Sequence, residues 1–288
     1  KAYHYKNHFQ MEFQTDMEPE QLSAVTSQLE SKGLLYQFDI TAPGKKVASL
    51  ALSNVEDAHF LVECSERGIA KEGARLLAIT QVIRTATIRH ECFIRDNPSP
   101  EQTHARKLAD FNKESESSEH IFLLRLYQQF KDSRAPKEFA NRYHLNFNIL
   151  CRIETREKLL LHRMRQANLT IDNAKSSLPI ETILLCLIIC SPNNLSRVSR
   201  KHDSVLECTN VRFQSLSQES PNPLSFNPRW IEMNISTNDF IIYSKVIKQR
   251  ETTELIPVSR VPLPVLRSFM ETLNARTRNA LQSQINMH

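Results

Sequence analysis

Basic side chains recur between Phe147 and Gln166 and give the clearest indication of binding chemistry in the chain. Lysine and arginine bind phosphate groups, and contacts to the phosphate backbone provide affinity for nucleic acids that does not depend on base sequence. The candidate phosphate contacts in this stretch are Arg152, Arg156, Lys158 and Arg163. A second candidate pair, Lys245 and Lys248, lies later in the chain.

The same stretch also has the apolar periodicity of an amphipathic helix. Its apolar residues at helical spacing are Ile149, Leu150, Ile153, Leu160 and Met164. This pattern predicts a helix from about Phe147 to Gln166 with one buried face. Charged residues outside that face are also what an ordinary solvated helix carries. Both interpretations, phosphate contact and solvated face, remain open on the charge pattern alone.

No other residue pattern predicts catalysis. A nucleotide-hydrolysing motor needs a glycine-rich phosphate loop ending in Lys-Ser or Lys-Thr. Gly44 and Lys45 are followed by another lysine, so we predict a turn there, and the chain has only four glycines. Glu119 and His120 are adjacent, but neighbouring helical residues point in different directions, which favours a structural histidine. We expect no catalytic residue and no cofactor in this chain.

The six cysteines do not have the spacing of a metal site. They stand at positions 64, 92, 151, 186, 190 and 208, without a Cys-x-x-Cys pair. Cys186 and Cys190 are four residues apart and can share a helix face, yet no second Cys or His pair is close in sequence. We predict reduced, mostly buried thiols and no bound metal.

The composition is that of a globular chain. Of 288 residues, 40% are hydrophobic and 24% charged, and the net charge of +5 permits a polyanionic partner without requiring one. The longest apolar segment, from Ile183 to Cys190, is too short to span a membrane. We expect an intracellular protein, cytoplasmic or nuclear, that does not contact a membrane. Because the sequence begins with Lys1, we also expect a fragment of a larger protein.

Several local signals predict helices, turns and strands. Pro19 to Lys32 and Asn54 to about Gly68 are expected to be helical, and Gly73 is expected to mark close packing within the next helix. Further helices are predicted at 100–113, from Pro136, at 180–188 and at 264–285, with a turn at 41–44. Short apolar runs predict strands at 205–208, 211–213, 230–235 and 240–247.

The remaining landmark is a capped amphipathic helix that begins after Ser118. Ser118 is a favourable N-cap, and apolar residues recur at near-helical spacing up to Phe130. The run resembles the Asp-His-Leu-Thr-Leu-Leu-x-x-Tyr signature of the helicase-associated, or ratchet, domain of DEAH-type RNA helicases. The residues that carry this resemblance are Glu119 in place of the aspartate, and His120, Leu123, Leu124 and Tyr127.

Flanking segments resemble the same family in the same order. Gly33 and Gly44 occupy the glycine positions of its two segments around the end of the winged helix, and Trp230 follows its Pro-x-Trp-Val pattern. The family's His-Pro-Ser-Ser is replaced at 214–217, and its strand arginine is replaced by Ile241 or Ile242. The nucleic-acid contacts that the family makes at those positions therefore do not carry over.

The resemblance implies a mainly α fold with a small β-barrel. Its parts would be a winged-helix remnant (1–53), a helical ratchet bundle (54–172), a divergent oligonucleotide-binding (OB) barrel (173–260) and a C-terminal helix (261–288). It implies an accessory module that binds single-stranded RNA, while motor domains outside this chain hydrolyse ATP with Mg²⁺. An activating protein is a further implied partner. The alternatives are a protein-interaction module that has lost RNA binding and an unrelated helical regulatory protein.

Overall fold

The computed structural model describes residues 19–85, 117–143, 145–171, 178–202, 205–211, 224–226, 234–248, 253–273, 278 and 281–282. Within these residues, the helices are α1 (Pro19–Ser31), α2 (Ala42–Ser49), α3 (Val55–Glu66), α4 (Ala70–Thr85), α5 (Glu119–Asp132), α6 (Pro136–Arg142), α7 (Phe147–Gln166), α8 (Ile180–Cys190) and α9 (Leu263–Thr272). The strands are β1 (Leu35–Tyr36), β2 (Asp39–Ile40), β3 (Leu195–His202), β4 (Val205–Asn210), β5 (Leu224–Phe226), β6 (Phe240–Lys248) and β7 (Thr253–Val261). The prediction of a mainly helical chain with a small β component is confirmed.

Side-chain caps fix where several helices begin. The Asn54 side chain accepts hydrogen bonds from the backbone N–H groups at the start of α3, and Asn146 does the same for α7. Ser118 caps α5 by accepting from the N–H of Ile121 at 3.2 Å. These caps satisfy N–H groups that have no partner inside a helix, so the predicted starts of α3 and α5 are confirmed.

The helices pack around one continuous apolar core. Leu50 near the end of α2, Leu61 on α3, Ile79 on α4, Phe122 on α5 and Leu160 on α7 are all fully or almost fully buried in it. Gly73 permits the close contact between α4 and α3, because a Cβ at this position would lie 2.6 Å from the Cys64 Sγ. The predicted close packing at Gly73 is confirmed.

The larger sheet is antiparallel and has the strand order β5-β4-β3-β6-β7. Among the described strands it is open, with β5 and β7 at its edges. Helix α8 connects the helical core to the larger sheet. Its residues Ile183 and Cys186 pack in the helical core, while Leu184 and Ile188 pack against the sheet and α9. None of the helices in the described ranges is long and apolar enough to cross a membrane.

Two local predictions are wrong. The expected turn at 41–44 is the start of α2, which Thr41 caps by accepting from the N–H of Gly44 at 3.1 Å. Gly44 is required for packing, since a Cβ there would lie 2.1 Å from the Leu34 carbonyl oxygen. The helix predicted from Pro264 to Ile285 is not continuous, because α9 ends at Thr272 and Leu273 has extended backbone angles; residues 278 and 281–282 are again helical.

Other predictions lie outside the described residues. They are the helix at 100–113, residues 212–213 of the strand run at 211–213, the strand run at 230–233 with Trp230, and the position of the Lys248 side chain. The strands expected at 205–208 and 240–247 are present as β4 and β6. Strands β3, β5 and β7 were not predicted.

Candidate nucleic-acid interface

Helix α7 buries one face and exposes a mixed, partly basic one. Its buried side chains are Ile149, Leu150, Ile153, Glu157, Leu160 and Met164. Arg152 and Lys158 are exposed, whereas Arg156 and Arg163 are half-buried at the border of the buried face. The helix predicted between Phe147 and Gln166 is therefore confirmed, together with its apolar side.

Three of the predicted arginines form one stripe along α7. With 3.6 residues per turn, Arg152, Arg156 and Arg163 lie within an arc of about 40° around the helix axis. The distance along the axis from Arg152 to Arg163 is about 16 Å, the rise of four to five nucleotides in a stacked strand. Lys158 lies about 120° away from Arg152 around the axis and is not part of this stripe.

Arg156 is held in place by a chain of side-chain hydrogen bonds. Its Nε donates to the Gln81 Oε1 at 2.5 Å, and the Gln81 Nε2 donates to the Asp57 carboxylate at 2.7 Å. A guanidinium has five N–H donors, and the bond to Gln81 uses one of them. The side chain is thus oriented by α4 and α3 and still presents N–H groups that can bind a phosphate.

Arg163 is anchored to the loop that follows α2. Its Nη1 donates to the backbone carbonyl of Ala51 at 2.7 Å. Ala51 has a φ of 49°, in the left-handed region that alanine rarely adopts. This bond places the end of α7 beside the end of α2.

The other predicted contacts have different surroundings. The Lys158 Nζ lies 2.8 Å from the Glu154 carboxylate one turn earlier, and this hydrogen bond raises the pKa of Lys158. Lys245 is exposed on β6, and Lys248 ends the same strand. The structure therefore groups Arg152, Arg156 and Arg163, and it does not group Lys158 with them. Arg165, exposed in the last turn of α7, was not among the predicted contacts.

A buried acidic residue lies on the apolar, buried face of α7. Glu157 is 2% exposed, and its Oε1 accepts from the Arg75 Nε at 2.9 Å. Its Oε2 accepts from the Tyr127 hydroxyl at 2.9 Å and from the Lys131 Nζ at 2.8 Å. Burial and the Glu157 charge raise the pKa of Tyr127 well above its ordinary value. This cluster connects α4, α5 and α7, and the Tyr127 hydroxyl is one of its hydrogen-bond donors.

Glu119 and His120 connect α5 to the sheet. The Glu119 Oε2 accepts from the backbone N–H of Val258 at 2.8 Å. The His120 Nδ1 lies 2.6 Å from the Ser259 hydroxyl, and its Nε2 lies 2.8 Å from the Ser244 hydroxyl. Glu119 and His120 are buried. Both imidazole nitrogens of His120 thus lie within hydrogen-bond distance of a hydroxyl, one on β7 and one on β6.

His59 on α3 is a buried titratable group. It is 4% exposed, and within the described part of the chain its Nδ1 has no hydrogen-bond partner. Burial and the nearby Lys32 ammonium lower the pKa of His59 to about 4. The folded protein therefore holds this imidazole neutral at pH values where an exposed histidine is protonated.

We predict that His59 makes the protein less stable in mild acid. Between pH 6.5 and about pH 4 the unfolded chain binds a proton at His59 that the folded chain does not, so stability falls as the pH falls. The contribution is about 2 kcal/mol between pH 7 and pH 5. Urea unfolding of the wild type and of His59→Gln at both pH values measures it. The variant should show a smaller loss, whereas His162→Gln, at an exposed histidine, should behave as the wild type.

Three cysteines meet where α3 packs against α8. Cys64, Cys186 and Cys190 are buried, and burial followed by the neighbouring Cys186 thiol raises the pKa of Cys64. Thiols held in this way are unreactive. In the described ranges, no group of three His, Cys, Asp or Glu side chains is arranged to hold a metal ion.

The chain matches no protein-family model and no curated protein.

Proposed function

We propose that the chain is the RNA-binding accessory module at the C-terminal end of an ATP-dependent DEAH-type RNA helicase. Motor domains outside this chain would hydrolyse ATP with Mg²⁺, and this module would form part of the surface along which single-stranded RNA passes. The observation that carries the proposal is the stripe of Arg152, Arg156 and Arg163, in which two guanidinium groups are oriented by bonds to Gln81 and Ala51.

Anchored arginines suit contact with a phosphate backbone. A guanidinium presents its donors in a planar fork that matches a phosphate, and an arginine already held by one bond loses less conformational entropy when it binds. A merely solvated face gives no reason for two arginines to be fixed by partners 75 and 112 residues away in sequence. The anchors thus favour phosphate contact over the solvated-face interpretation.

The finer fold assignments are part of the same proposal. Helix α1, the β1-β2 hairpin and α2 would be the end of a winged helix, and α3 to α7 would be the ratchet bundle. The antiparallel sheet β3 to β7 would belong to a divergent OB barrel, with Lys245 and Lys248 on β6 as a second phosphate contact. An activating protein partner is also proposed, on the family resemblance alone.

The salt dependence of RNA binding tests the stripe. We expect fluorescence anisotropy with labelled oligouridine to show affinity that falls steeply with salt, because bound phosphates release counterions. Replacing Arg152, Arg156 and Arg163 together with glutamine should reduce the slope of log affinity against log salt by about 2, at about 0.7 for each lost contact on a single strand.

Lys158→Gln is the matched control, since it removes one exposed charge from the same helix outside the stripe. Lys158→Gln should change the slope of log affinity against log salt by less than the replacement of any two of the three stripe arginines does. Thermal unfolding of the triple variant shows whether the fold survives. Affinity that is weak and independent of salt would contradict the proposal and favour a protein-interaction module.

A further inference from the structure

The loop between α2 and α3 carries an exposed serine close to an arginine of the α7 stripe. The Ala51 carbonyl in this loop accepts from the Arg163 Nη1 at 2.7 Å. Ser53 follows two residues later and is exposed, and within the described part of the chain its hydroxyl makes no hydrogen bond. The exposed Ser49 differs, because its hydroxyl donates to the Lys46 carbonyl at 2.7 Å. The Ser53 hydroxyl is therefore accessible to an enzyme that modifies serine.

The position of this loop is fixed on both sides of Ser53. Leu50 is buried in the helical core, and the half-buried Leu52 packs against the same core. On the other side, the Asn54 side chain accepts hydrogen bonds from the first N–H groups of α3. Two residues span at most about 7 Å, so a phosphate on Ser53 lies within reach of a guanidinium bonded to the Ala51 carbonyl.

The sequence after Ser53 suits phosphorylation. Glu56 stands three residues after the serine, and such a charge pattern is what acid-directed protein kinases recognise in their substrates. The Glu56 side chain is 37% exposed, so it stays accessible although the Lys32 Nζ pairs with one of its oxygens. In the reaction, the Ser53 Oγ attacks the γ-phosphorus of ATP, its proton passes to a base of the kinase, and ADP leaves.

We propose that Ser53 is a phosphorylation site whose phosphate binds Arg163 and removes this arginine from RNA binding. The inference rests on the proposed function and supplies a regulation of it. A phosphoserine has a charge of about −2 and three acceptor oxygens, which form charge-assisted hydrogen bonds with arginine. The bond to Ala51 uses one of the five guanidinium donors, so the others can bind the phosphate. An RNA phosphate needs the same donors, and the two phosphates therefore compete.

The charges around the loop favour this contact. The two acids at the start of α3 are already engaged: Glu56 pairs with a lysine, and the buried Asp57 accepts from the Gln81 Nε2 at 2.7 Å. Arg163 is bonded to an uncharged carbonyl, and no carboxylate of the described ranges pairs with it. Its positive charge is thus available to a phosphate on the neighbouring loop.

Phosphoserine incorporated at position 53 by suppression of a stop codon tests the contact without a kinase. The affinity for labelled oligouridine should fall by about tenfold, within the usual range for coupled sites. The slope of log affinity against log salt should fall by about 0.7, the value for one lost contact on a single strand. In Arg163→Gln, the same phosphoserine should change the affinity by less than about twofold, because salt screens the remaining repulsion.

Arg152→Gln is the matched control for Arg163→Gln. It removes another arginine of the stripe and keeps Arg163, so phosphoserine at position 53 should still lower the affinity by about tenfold. Phosphorus NMR gives a readout that does not need RNA. The second pKa of the phosphate should be lower with Arg163 present than in Arg163→Gln, because a guanidinium favours the dianion.

An acid-directed kinase with ATP tests the modification itself. Mass spectrometry should find phosphate on Ser53 of the wild type and less of it in Glu56→Gln. If the kinase leaves Ser53 unmodified, the site is wrong. If phosphoserine lowers the affinity equally in the wild type and in Arg163→Gln, the contact with Arg163 is wrong.

The RNA measurements also separate this inference from the proposed function. If phosphoserine at position 53 leaves the affinity unchanged while the triple arginine variant loses it, the regulation is wrong and the proposed function stands. If the unmodified wild type binds no RNA, both proposals fail.

Discussion

Replacing Glu157 with alanine is expected to lower the free energy of unfolding by about 3–5 kcal/mol, the cost of removing one partner from a buried ion pair. The reason is the number of groups that depend on this carboxylate. Arg75, Tyr127 and Lys131 all donate to it from two neighbouring helices. Without it, two positive charges and a buried hydroxyl remain without their acceptor at the contact between α4, α5 and α7.

The size of the effect distinguishes a buried network from a surface ion pair. Exposed pairs contribute about 0–1 kcal/mol because water screens them and the side chains lose entropy. Glu154 provides the matched control, since it stands one turn away and pairs with the exposed Lys158. Glu154→Ala should therefore change stability by less than about 1 kcal/mol.

Urea unfolding followed by circular dichroism measures both variants. Glu157→Gln should fall between them, because the amide keeps the shape and can accept some of the hydrogen bonds but lacks the charge. Equal destabilisation by Glu157→Ala and Glu154→Ala would show that the buried network does not stabilise the helical core.

The position of Glu157 could not be obtained from the sequence. Apolar periodicity indicated which face of α7 is buried, and Glu157 lies on that face, between Ile153 and Leu160. A carboxylate in that position can be buried only if cations reach it. Those cations come from residues 82 and 26 positions away, at Arg75 and Lys131. Periodicity describes one helix at a time and does not identify such partners.

The same limit applies to the candidate interface. The sequence identified Arg152, Arg156 and Arg163 as basic residues outside the apolar face. Their grouping into one stripe follows from helical geometry, but the bonds that orient Arg156 and Arg163 run to Gln81 and Ala51. Lys158 looked equivalent in sequence, and it lies on another side of the helix beside Glu154.

Two of the strands that were not predicted, β3 and β7, break the rules for strand recognition. Strand β3 is rich in serine and basic residues, so it lacks a continuous apolar pattern. Strand β7 contains Pro257, which cannot donate a backbone hydrogen bond and normally argues against a paired strand. The register places Tyr243 opposite Val258 and Lys245 opposite Ile256, so Pro257 stands opposite Ser244. Strand β7 is an edge of the sheet, where a proline is tolerated.

The contacts of β7 with α5 lead to the second large prediction. Substitution of His120 by alanine is expected to destabilise the protein by about 3–4 kcal/mol, from the cavity and from two hydroxyls that lose a partner. The imidazole reaches Ser259 on β7 and Ser244 on β6, and the Ser259 hydroxyl lies 2.5 Å from that of Ser118. The substitution therefore weakens the N-terminal cap of α5 as well as its attachment to the sheet.

A double-mutant cycle isolates this connection. His120→Ala and Ser259→Ala remove the two partners of one hydrogen bond, so their combined effect should be smaller than the sum of the single effects by about 1 kcal/mol or more. Ser199→Ala is the control, because the Ser199 hydroxyl donates to an exposed carbonyl within the β3-β4 pair. It should be nearly neutral and should add to His120→Ala without coupling.

The outcome also bears on how α5 and the sheet are coupled. The Arg260 N–H donates to the Ser117 carbonyl at 3.0 Å, and the Val258 N–H donates to the Glu119 carboxylate at 2.8 Å. Two backbone N–H groups of β7, one on each side of Ser259, therefore also attach the strand to the start of α5. If His120 fastens the two parts, hydrogen exchange in His120→Ala should accelerate at Val258 and Arg260 before it accelerates in the helical core. Uniform acceleration over the whole chain would show that His120 stabilises the fold as one unit. Unchanged exchange at β7 would show that the bonds from the Val258 and Arg260 N–H groups hold the strand without His120.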